Sequence, residues 1–300
     1  MMKRPPFLAK GDKIGIVATA RKISAEEISF AVKKFEEWGL TVVYGKNLFN
    51  VKNQFSGTDE ERVSDLQEML DDDSVRAVIS ARGGYGTIRI IDRLDFSKFL
   101  NSPKWIIGYS DITVLHLHIH QNFAVETIHA TMPISFGADE ESVETLRRAL
   151  FGELNKYTFP GSNGLARKGT CEGQLSGGNL SLIYALNNSK SDLDTKGKIL
   201  FLEDLDEYLY HLDRMMVNLK RGGKLSGLAG LVVGGLTEMK DNPVPFGKTP
   251  EEIIMDSVKE YSYPVCFDFP AGHGKKNFSF FSGRRCRLEV EEKISLEFLS

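Results

Sequence analysis

The sequence predicts an α/β protein, with a parallel sheet in its first half and a smaller, β-rich α+β domain in its second half. Strand and helix signals alternate from residue 13 to residue 121, a pattern typical of parallel strands with helices on both faces. A polar segment without periodicity follows, and the last two strand signals suggest an antiparallel pair. We therefore predict domains at 1–152 and 171–300, joined by an irregular linker at 153–170 that includes the polar run Pro160-Gly161-Ser162-Asn163-Gly164.

Composition excludes several classes of protein. The 300 residues are 41% hydrophobic and 26% charged, and their net charge of −3 argues against a strongly basic nucleic-acid binder or a polybasic membrane-surface protein. The longest apolar run, at 228–236, is far below the ~20 residues of a spanning helix, and no signal peptide is readable at the N-terminus. Three scattered cysteines predict reduced thiols in a cytoplasmic protein rather than a disulfide framework or metal site.

The elements of the first half follow from apolar runs and capping signals. Buried strands are predicted at 13–18, 41–44, 76–81 and 104–108. Capping boxes at Ser24 and Thr58 open the first two helices, with Ile28, Val32 and Phe35 on the inner face of the first. Two more helices are predicted at 87–94 and 111–121.

The second half mixes both element types. Helices are predicted at 179–186, 208–220 and 250–261. Strands are predicted at 198–203, 228–234, 265–269, 285–290 and 293–298.

A serine stands at the turn between the fourth strand and the next helix. The motif GYSDIT at 108–113 ends an apolar strand at Gly108 and opens a helix after Ser110. A hydroxyl on such a turn projects at the carboxyl edge of the sheet, beside helix N–H groups that favour developing negative charge. These features indicate a nucleophile, with the backbone N–H of Asp111 as an oxyanion donor. From this stretch alone, Ser110 as an ordinary helix cap is the alternative.

A glycine-rich loop, RGGYG at 82–86, lies between the third strand and its helix, at the same edge. Its glycines let backbone N–H groups approach a ligand, so Gly83 and Gly84 are predicted oxyanion donors. Such a loop suits an oxyanion or a carboxylate. A dinucleotide site is disfavoured because the third glycine of GxGxxG is missing, whereas a plain tight turn stays open.

A serine nucleophile needs a base, and the base needs an orienting acid. His273 is the best base candidate, because the glycines on either side of it keep the backbone out of the way. Glu203 ends the buried strand at 198–202, where a carboxylate is well placed to orient a histidine. A structural loop histidine and a solvated carboxylate are the respective alternatives. Packing or surface roles are predicted for the histidines of the helix at 111–121, which are His116, His118 and His120.

Taken together and in order, these motifs resemble the LD-carboxypeptidase family of serine peptidases, which includes muramoyltetrapeptide carboxypeptidases and microcin C immunity hydrolases. The resemblance covers nearly the whole chain. Its motifs are GDKIGIVA at 11–18, RGGYG at 82–86, GYSDIT at 108–113, SGGNL at 176–180, LED at 202–204 and AGHG at 271–274.

The resemblance implies a catalytic triad of Ser110, Glu203 and His273, split between the two domains. It also implies a flavodoxin-like or glutamine-amidotransferase-like first domain, a small β-rich second domain, and no metal or cofactor. The implied substrate is a murein tetrapeptide, whose terminal D-alanine is released in cell-wall recycling by a cytoplasmic enzyme, often a homodimer. Residues of the matching motifs are predicted to bind the substrate: Arg82, Tyr85, Tyr109, Ser176 and Asn179. Arg82 is predicted to bind the terminal carboxylate of the peptide, because its guanidinium suits that geometry, with a surface or structural ion pair as the alternative. Helix capping is the alternative for the segment at 176–179.

Two alternatives stand beside this function. A hydrolase of peptidyl- or aminoacyl-adenylates shares the fold, but the chain has no evident aromatic-bearing insertion to hold a nucleobase, which favours murein peptides. A non-catalytic peptide-binding module is the other alternative, and the intact triad argues against it. The chain departs from many members of the family at one place, where His129-Ala130-Thr131 stands for His-Gly-Pro.

Overall fold

The computed structural model describes residues 2–161 and 164–299, which divide into two compact units. Unit 1 comprises the chain up to Leu154 together with Phe278–Phe281. Unit 2 comprises Asn155–Asn277 together with the chain from Ser282 onward. The chain therefore leaves unit 1, forms most of unit 2, and returns to unit 1 for one short segment.

Strands and helices alternate as the sequence predicts for the first half. Within the described residues the strands are β1 (Lys13–Val17), β2 (Thr41–Tyr44), β3 (Val75–Ser80), β4 (Trp105–Gly108), β5 (Thr127–His129), β6 (Lys156–Pro160), β7 (Gly169–Asn179), β8 (Lys198–Leu205), β9 (Gly230–Thr237), β10 (Val265–Cys266), β11 (Phe280–Ser282), β12 (Arg285–Val290) and β13 (Lys293–Phe298). The α-helices of the same residues are α1 (Ala25–Glu37), α2 (Asp59–Asp71), α3 (Ser97–Asn101), α4 (Thr113–Phe123), α5 (Glu140–Leu150), α6 (Leu180–Ala185), α7 (Leu209–Arg221) and α8 (Pro250–Val258).

The sheet of unit 1 has the order β11-β5-β4-β3-β1-β2. The pairs from β5 across to β2 are all parallel, which confirms the predicted parallel sheet. Buried β-branched residues such as Ile16, Ile79 and Ile107 fill its strands, as expected when helices cover both faces. Because the strands run in one direction, the loops after β1, β3 and β4 lie at the same edge.

The sheet of unit 2 has the order β10-β9-β8-β7-β12-β13-β6. Strands β7, β8, β9 and β10 are parallel neighbours, whereas β12 and β13 join β7 and β6 antiparallel. The predicted antiparallel pairing of the last two strands is confirmed. The parallel part brings the ends of β7, β8 and β9 to one edge of this sheet.

The helix starts of unit 1 agree with the capping signals. Ser24 and Thr58 both form capping boxes. In each, the cap side chain accepts from the backbone N–H three residues on, and the glutamate at that position accepts from the backbone N–H of the cap residue. Ile28 and Phe35 are buried on the inner face of α1, while Val32 is only half-buried.

The predicted helix at 87–94 is wrong. The segment forms two short 3-10 turns instead, Thr87–Arg89 and Ile91–Arg93. The run is short and rich in β-branched residues, which lose side-chain freedom in an α-helix, so it does not offset the cost of nucleating one.

The structure also differs from the predicted irregular linker at 153–170. Strand β6 lies inside it and pairs with β13, and β7 begins at Gly169. Only alternate positions of β6 are buried or half-buried, among them Tyr157. The segment is short and polar, so its sequence does not predict a strand, which depends on pairing with β13. Ser162 and Asn163, which belong to the same predicted linker, lie outside the described residues.

Candidate active site

Ser110 occupies a sharp turn between β4 and α4. Its φ of 61° lies in the left-handed region, which costs a non-glycine residue about 1–2 kcal/mol. Gly108, just before the turn, has a φ of 153°, and a Cβ there would lie 2.7 Å from Ile112 Cγ1. A 3-10 turn over Ser110–Ile112 then leads into α4. The N-cap position of that turn is Tyr109, so Ser110 is not the cap residue.

The glycine-rich loop after β3 packs against this serine. A Cβ on Gly83 would lie 3.1 Å from Ser110 Cβ and 3.3 Å from its Oγ. Gly84 has a φ of 116°, which favours glycine. Neither glycine N–H donates to an acceptor within the described residues. The structure therefore brings Ser110, Gly83 and Gly84 together, as the sequence predicts.

A buried hydrogen-bond network ties this loop to the serine turn. Asp111 Oδ2 accepts from the backbone N–H of Thr87 at 2.8 Å and from its hydroxyl at 2.5 Å. The Thr87 hydroxyl in turn accepts from Thr19 Oγ1 at 2.8 Å, and Arg62 Nη1 donates to the Thr19 carbonyl at 2.6 Å. Burial raises the pKa of Asp111, while the bonds from Thr87 act in the opposite direction. The loops after β1, β3 and β4 are thus connected through two threonines and one carboxylate.

His116 supports the end of β4 and was not predicted as part of the site. Its Nε2–H donates to the Gly108 carbonyl at 2.9 Å. Complete burial lowers the pKa of His116 to about 4, so the ring is neutral. All three histidines of α4 are buried. The signal in the sequence is a polar ring on an otherwise apolar helix, because such a group needs a buried partner.

In unit 2 the structure pairs Glu203 with His273. Glu203 lies on β8 with none of its surface exposed, and its Oε2 accepts from His273 Nδ1 at 2.6 Å. This bond places the proton of the neutral imidazole on Nδ1, which leaves Nε2 as the basic nitrogen. Gly272, with a φ of 106°, allows the approach, since a Cβ there would lie 2.8 Å from Glu203 Cβ.

The charges around His273 favour its protonated form. Burial lowers the pKa of His273, but the hydrogen bond and negative charge of Glu203 outweigh it, with smaller contributions from Asp204 and Glu238. The net pKa of His273 is therefore raised above 6.5. The second carboxylate oxygen of Glu203 is buried and accepts no hydrogen bond within the described residues.

The neighbouring Asp204 has a structural environment. It accepts from Asn179 Nδ2 at 2.9 Å and from the hydroxyl of Ser181 at 2.7 Å. Burial and the charge of Glu203 raise the pKa of Asp204 to about 6. Asn179 also caps α6, since its Oδ1 accepts from the N–H of Leu182 at 3.2 Å. Ser176 is completely buried in β7.

The other predicted substrate-binding residues lie around the loops of unit 1. Arg82 Nη1 donates to the Lys22 carbonyl at 3.2 Å, and Tyr85 exposes 47% of its surface. Tyr109 lies with its ring 5.8 Å from that of His129. Among residues 2–161 and 164–299, no group of three His, Cys, Asp or Glu side chains could hold a metal ion. No helix in the same part of the chain has the length and apolar character to span a bilayer.

Comparison with known proteins decides the family. A model of the LD-carboxypeptidase N-terminal domain matches residues 14–130, and a model of its C-terminal domain matches 172–288. A probable murein peptide carboxypeptidase of Bacillus subtilis (strain 168) is 37% identical over 303 residues, which cover 98% of this chain and 93% of that protein. The chain belongs to the LD-carboxypeptidase family. The predicted family and enzyme class are therefore confirmed, and the protein is a hydrolase, a serine-type carboxypeptidase.

Solved structures confirm the two-domain LD-carboxypeptidase fold. The crystal structure of muramoyltetrapeptide carboxypeptidase from Oxalobacter formigenes superposes with a TM-score of 0.86 at 25% identity, over 96% of this chain and 99% of that one. The microcin C7 self-immunity protein MccF, solved in complex with aspartyl sulfamoyl adenosine, gives a TM-score of 0.86 at 21% identity, over 100% and 99% of the two chains. At that identity the second likeness concerns the fold alone.

Proposed function

We propose that this LD-carboxypeptidase releases the terminal D-alanine from murein tetrapeptides, by hydrolysing the bond between an L-centre and the D-residue. The observation that carries the proposal is the 2.6 Å hydrogen bond from His273 to the buried Glu203. A base oriented by a carboxylate is what a serine nucleophile requires. The murein peptide carboxypeptidase of B. subtilis supports the choice of substrate.

In the proposed mechanism, His273 Nε2 takes the proton of Ser110, whose Oγ attacks the scissile carbonyl. Glu203 holds the imidazole in the required tautomer and stabilises the imidazolium. The backbone N–H groups of Asp111 and of Gly83 or Gly84 bind the oxyanion, and each such donor lowers the barrier by roughly 3 kcal/mol.

The tetrahedral intermediate then collapses. His273 passes its proton to the nitrogen of D-alanine, the peptide bond breaks, and an ester remains on Ser110. His273 next deprotonates a water molecule that hydrolyses this ester and frees the shortened peptide. Ser110 belongs to unit 1 and the other two residues to unit 2, so the proposal requires both units for activity.

Replacement of the nucleophile tests the proposal. The variant Ser110→Ala is expected to lower D-alanine release from a defined murein tetrapeptide by at least about 10⁴-fold, as measured by mass spectrometry. His273→Ala is expected to have a similar effect. Ser226→Ala, which alters an exposed serine of unit 2, serves as the matched control. Turnover retained by Ser110→Ala with an unchanged melting temperature would contradict the assignment of the nucleophile.

A second arm of the assay separates the proposal from adenylate hydrolysis. The wild-type enzyme is given an aminoacyl-sulfamoyl adenosine at the same concentration as the tetrapeptide. Faster cleavage of the nucleoside compound would overturn the murein proposal while leaving the triad intact.

The proposal also includes a homodimeric, cytoplasmic enzyme of peptide recycling, and a light-scattering mass of a single chain would contradict the dimer.

A further inference from the structure

An arginine that no motif includes lies beside the loop that faces Ser110. Arg21 follows β1, and its backbone is fixed by neighbours on both sides. The Ala20 carbonyl accepts from the N–H of Ser56 at 3.1 Å, and the N–H of Lys22 donates to the Gln54 carbonyl at 3.0 Å. The Cα of Arg21, from which the side chain extends, is therefore held in place.

The side chain of Arg21 extends over Gly84. A Cβ on Gly84 would lie 2.7 Å from both Arg21 Cγ and Cδ, and 2.8 Å from Nε. The preceding residue, Gly83, packs in the same way against Ser110. Consecutive Cα atoms are ~3.8 Å apart, so the Arg21 stem and the Ser110 hydroxyl lie against adjacent residues of one loop.

Within the described residues, the Arg21 guanidinium differs from the other arginines near this edge because it takes part in no hydrogen bond or ion pair. Arg62 and Arg89 both pair with Asp59, and Arg82 donates to the Lys22 carbonyl. Within the described residues Arg21 makes no ion pair, and its side chain is exposed. An exposed guanidinium that is held by its stem and lacks a carboxylate suits an anionic ligand.

We infer that Arg21, and not Arg82 as the sequence predicts, binds the terminal carboxylate of the peptide substrate, an inference that rests on the proposed function. In a peptide that loses its last residue, the terminal carboxylate carbon is three bonds from the scissile carbonyl carbon, roughly 4 Å along the covalent path. A cation for this carboxylate must therefore lie close to the nucleophile and the oxyanion donors. Arg21 meets this condition because its stem lies over Gly84, the neighbour of the Gly83 that packs against Ser110. Its planar fork matches the carboxylate geometry.

The test compares two substrates that differ only in that charge. One is a defined murein tetrapeptide with a free terminal carboxylate, and the other is the same peptide as its terminal amide. For the free acid, Arg21→Ala is expected to lower kcat/KM about 10- to 100-fold, while the amide changes by less than about 2-fold. Arg21→Lys keeps the charge but loses the planar fork, so its kcat/KM for the free acid is expected to lie between those of the wild type and of Arg21→Ala.

Lys22→Ala is the matched control, because it removes the adjacent exposed charge. It is expected to keep the wild-type ratio of kcat/KM for the free acid to kcat/KM for the amide. An unchanged ratio of kcat/KM for the two substrates in Arg21→Ala would overturn the inference, and an equal fall in both values would indicate a structural role for Arg21. If the wild type released neither D-alanine from the free acid nor D-alanine amide from the amide, the proposed function itself would fail and this inference with it.

Discussion

Ser110 adopts a backbone conformation that few L-residues tolerate, and its neighbours show what holds it there. The positive φ of this residue is retained between two buried supports. His116 binds the carbonyl of Gly108 on one side, and Asp111 binds Thr87 on the other. Strain of about 1–2 kcal/mol persists only where such contacts over-determine the backbone. The strained turn places the hydroxyl beside Gly83 of the glycine-rich loop.

The proposed mechanism predicts a pH dependence of activity that is set by the Glu203–His273 pair. The proposed base His273 can accept a proton only when neutral, so kcat/KM is expected to rise as the pH increases through its pKa, which Glu203 raises above the ordinary value. Glu203→Gln removes the negative charge, so the pKa of His273 falls and the acidic limb of the profile moves to lower pH. The maximal rate falls as well, by about 10³–10⁴-fold, as expected on loss of a triad acid.

This prediction is checked by the pH profile of D-alanine release for both proteins. Asp206→Asn, on the exposed turn after β8, serves as a control for a general loss of negative charge near this strand. An acidic limb that stayed in place in Glu203→Gln would contradict the role of Glu203 in setting the pKa of His273.

At this scale the sequence predicts the residues that stand in local motifs and misses those defined by distant contacts. Ser110 and His273 are recognisable because glycines and element boundaries surround them. The pairing of Glu203 with His273 was predicted, whereas the tie between Asp111 and Thr87 was not. Arg21 was missed because nothing in its own segment shows that it lies over Gly84.

The loop after β3 carries two of the proposed oxyanion donors, Gly83 and Gly84. Gly86, at its end, has a φ of 155°, and a Cβ there would lie 2.9 Å from Ala20 Cα and 3.0 Å from the Thr19 carbonyl. Gly86→Ala is therefore expected to destabilise the protein by about 2–4 kcal/mol, measured by urea unfolding. Gly137→Ala is the matched control, because a Cβ at that position meets nothing within 4 Å. Equal stabilities of the two variants would contradict this account of the loop.

Elements with a strong local signal were predicted, and those that depend on partners were not. Strands β1, β3 and β4 are apolar runs, and the caps of α1 and α2 are explicit in the sequence. Strand β6 is half-buried and gains its structure from pairing with β13. The two-residue strand β10 is shorter than the predicted strand at 265–269, and Asp268 beyond it has a φ of 59°.

At the scale of the whole molecule, unit 1 includes a segment from late in the chain. Phe280 and Phe281 are completely buried. The ring of Phe280 stacks on His129 with centroids 4.5 Å apart, and Phe281 packs 5.7 Å from Trp105. The N–H of Ser279 donates to Thr145 Oγ1 at 2.9 Å. No sequence pattern shows that residues so distant along the chain complete the sheet that bears Ser110.

Removing one of these rings is expected to destabilise unit 1 selectively. Phe281→Ala is expected to cost about 3–5 kcal/mol through the cavity it leaves. Hydrogen exchange monitored by mass spectrometry then shows faster exchange in β4 and β5, with β8 and β9 unchanged. Phe298→Ala, in the sheet of unit 2, is the matched control. It is expected to show faster exchange in unit 2, with exchange in β4 and β5 unchanged. Equal loss of protection in both units for Phe281→Ala would contradict the assignment of this segment.

The return of the chain to unit 1 sets an order of events during synthesis. The ribosome makes β1 to β5 first, then all of Asn155–Asn277, and only afterwards the strand β11 that completes the first sheet. Domains generally fold from the N-terminus as they emerge, but this one is left with an open edge at β5 until translation is nearly finished. The strand that completes the sheet bearing Ser110 is therefore synthesised almost at the same time as His273.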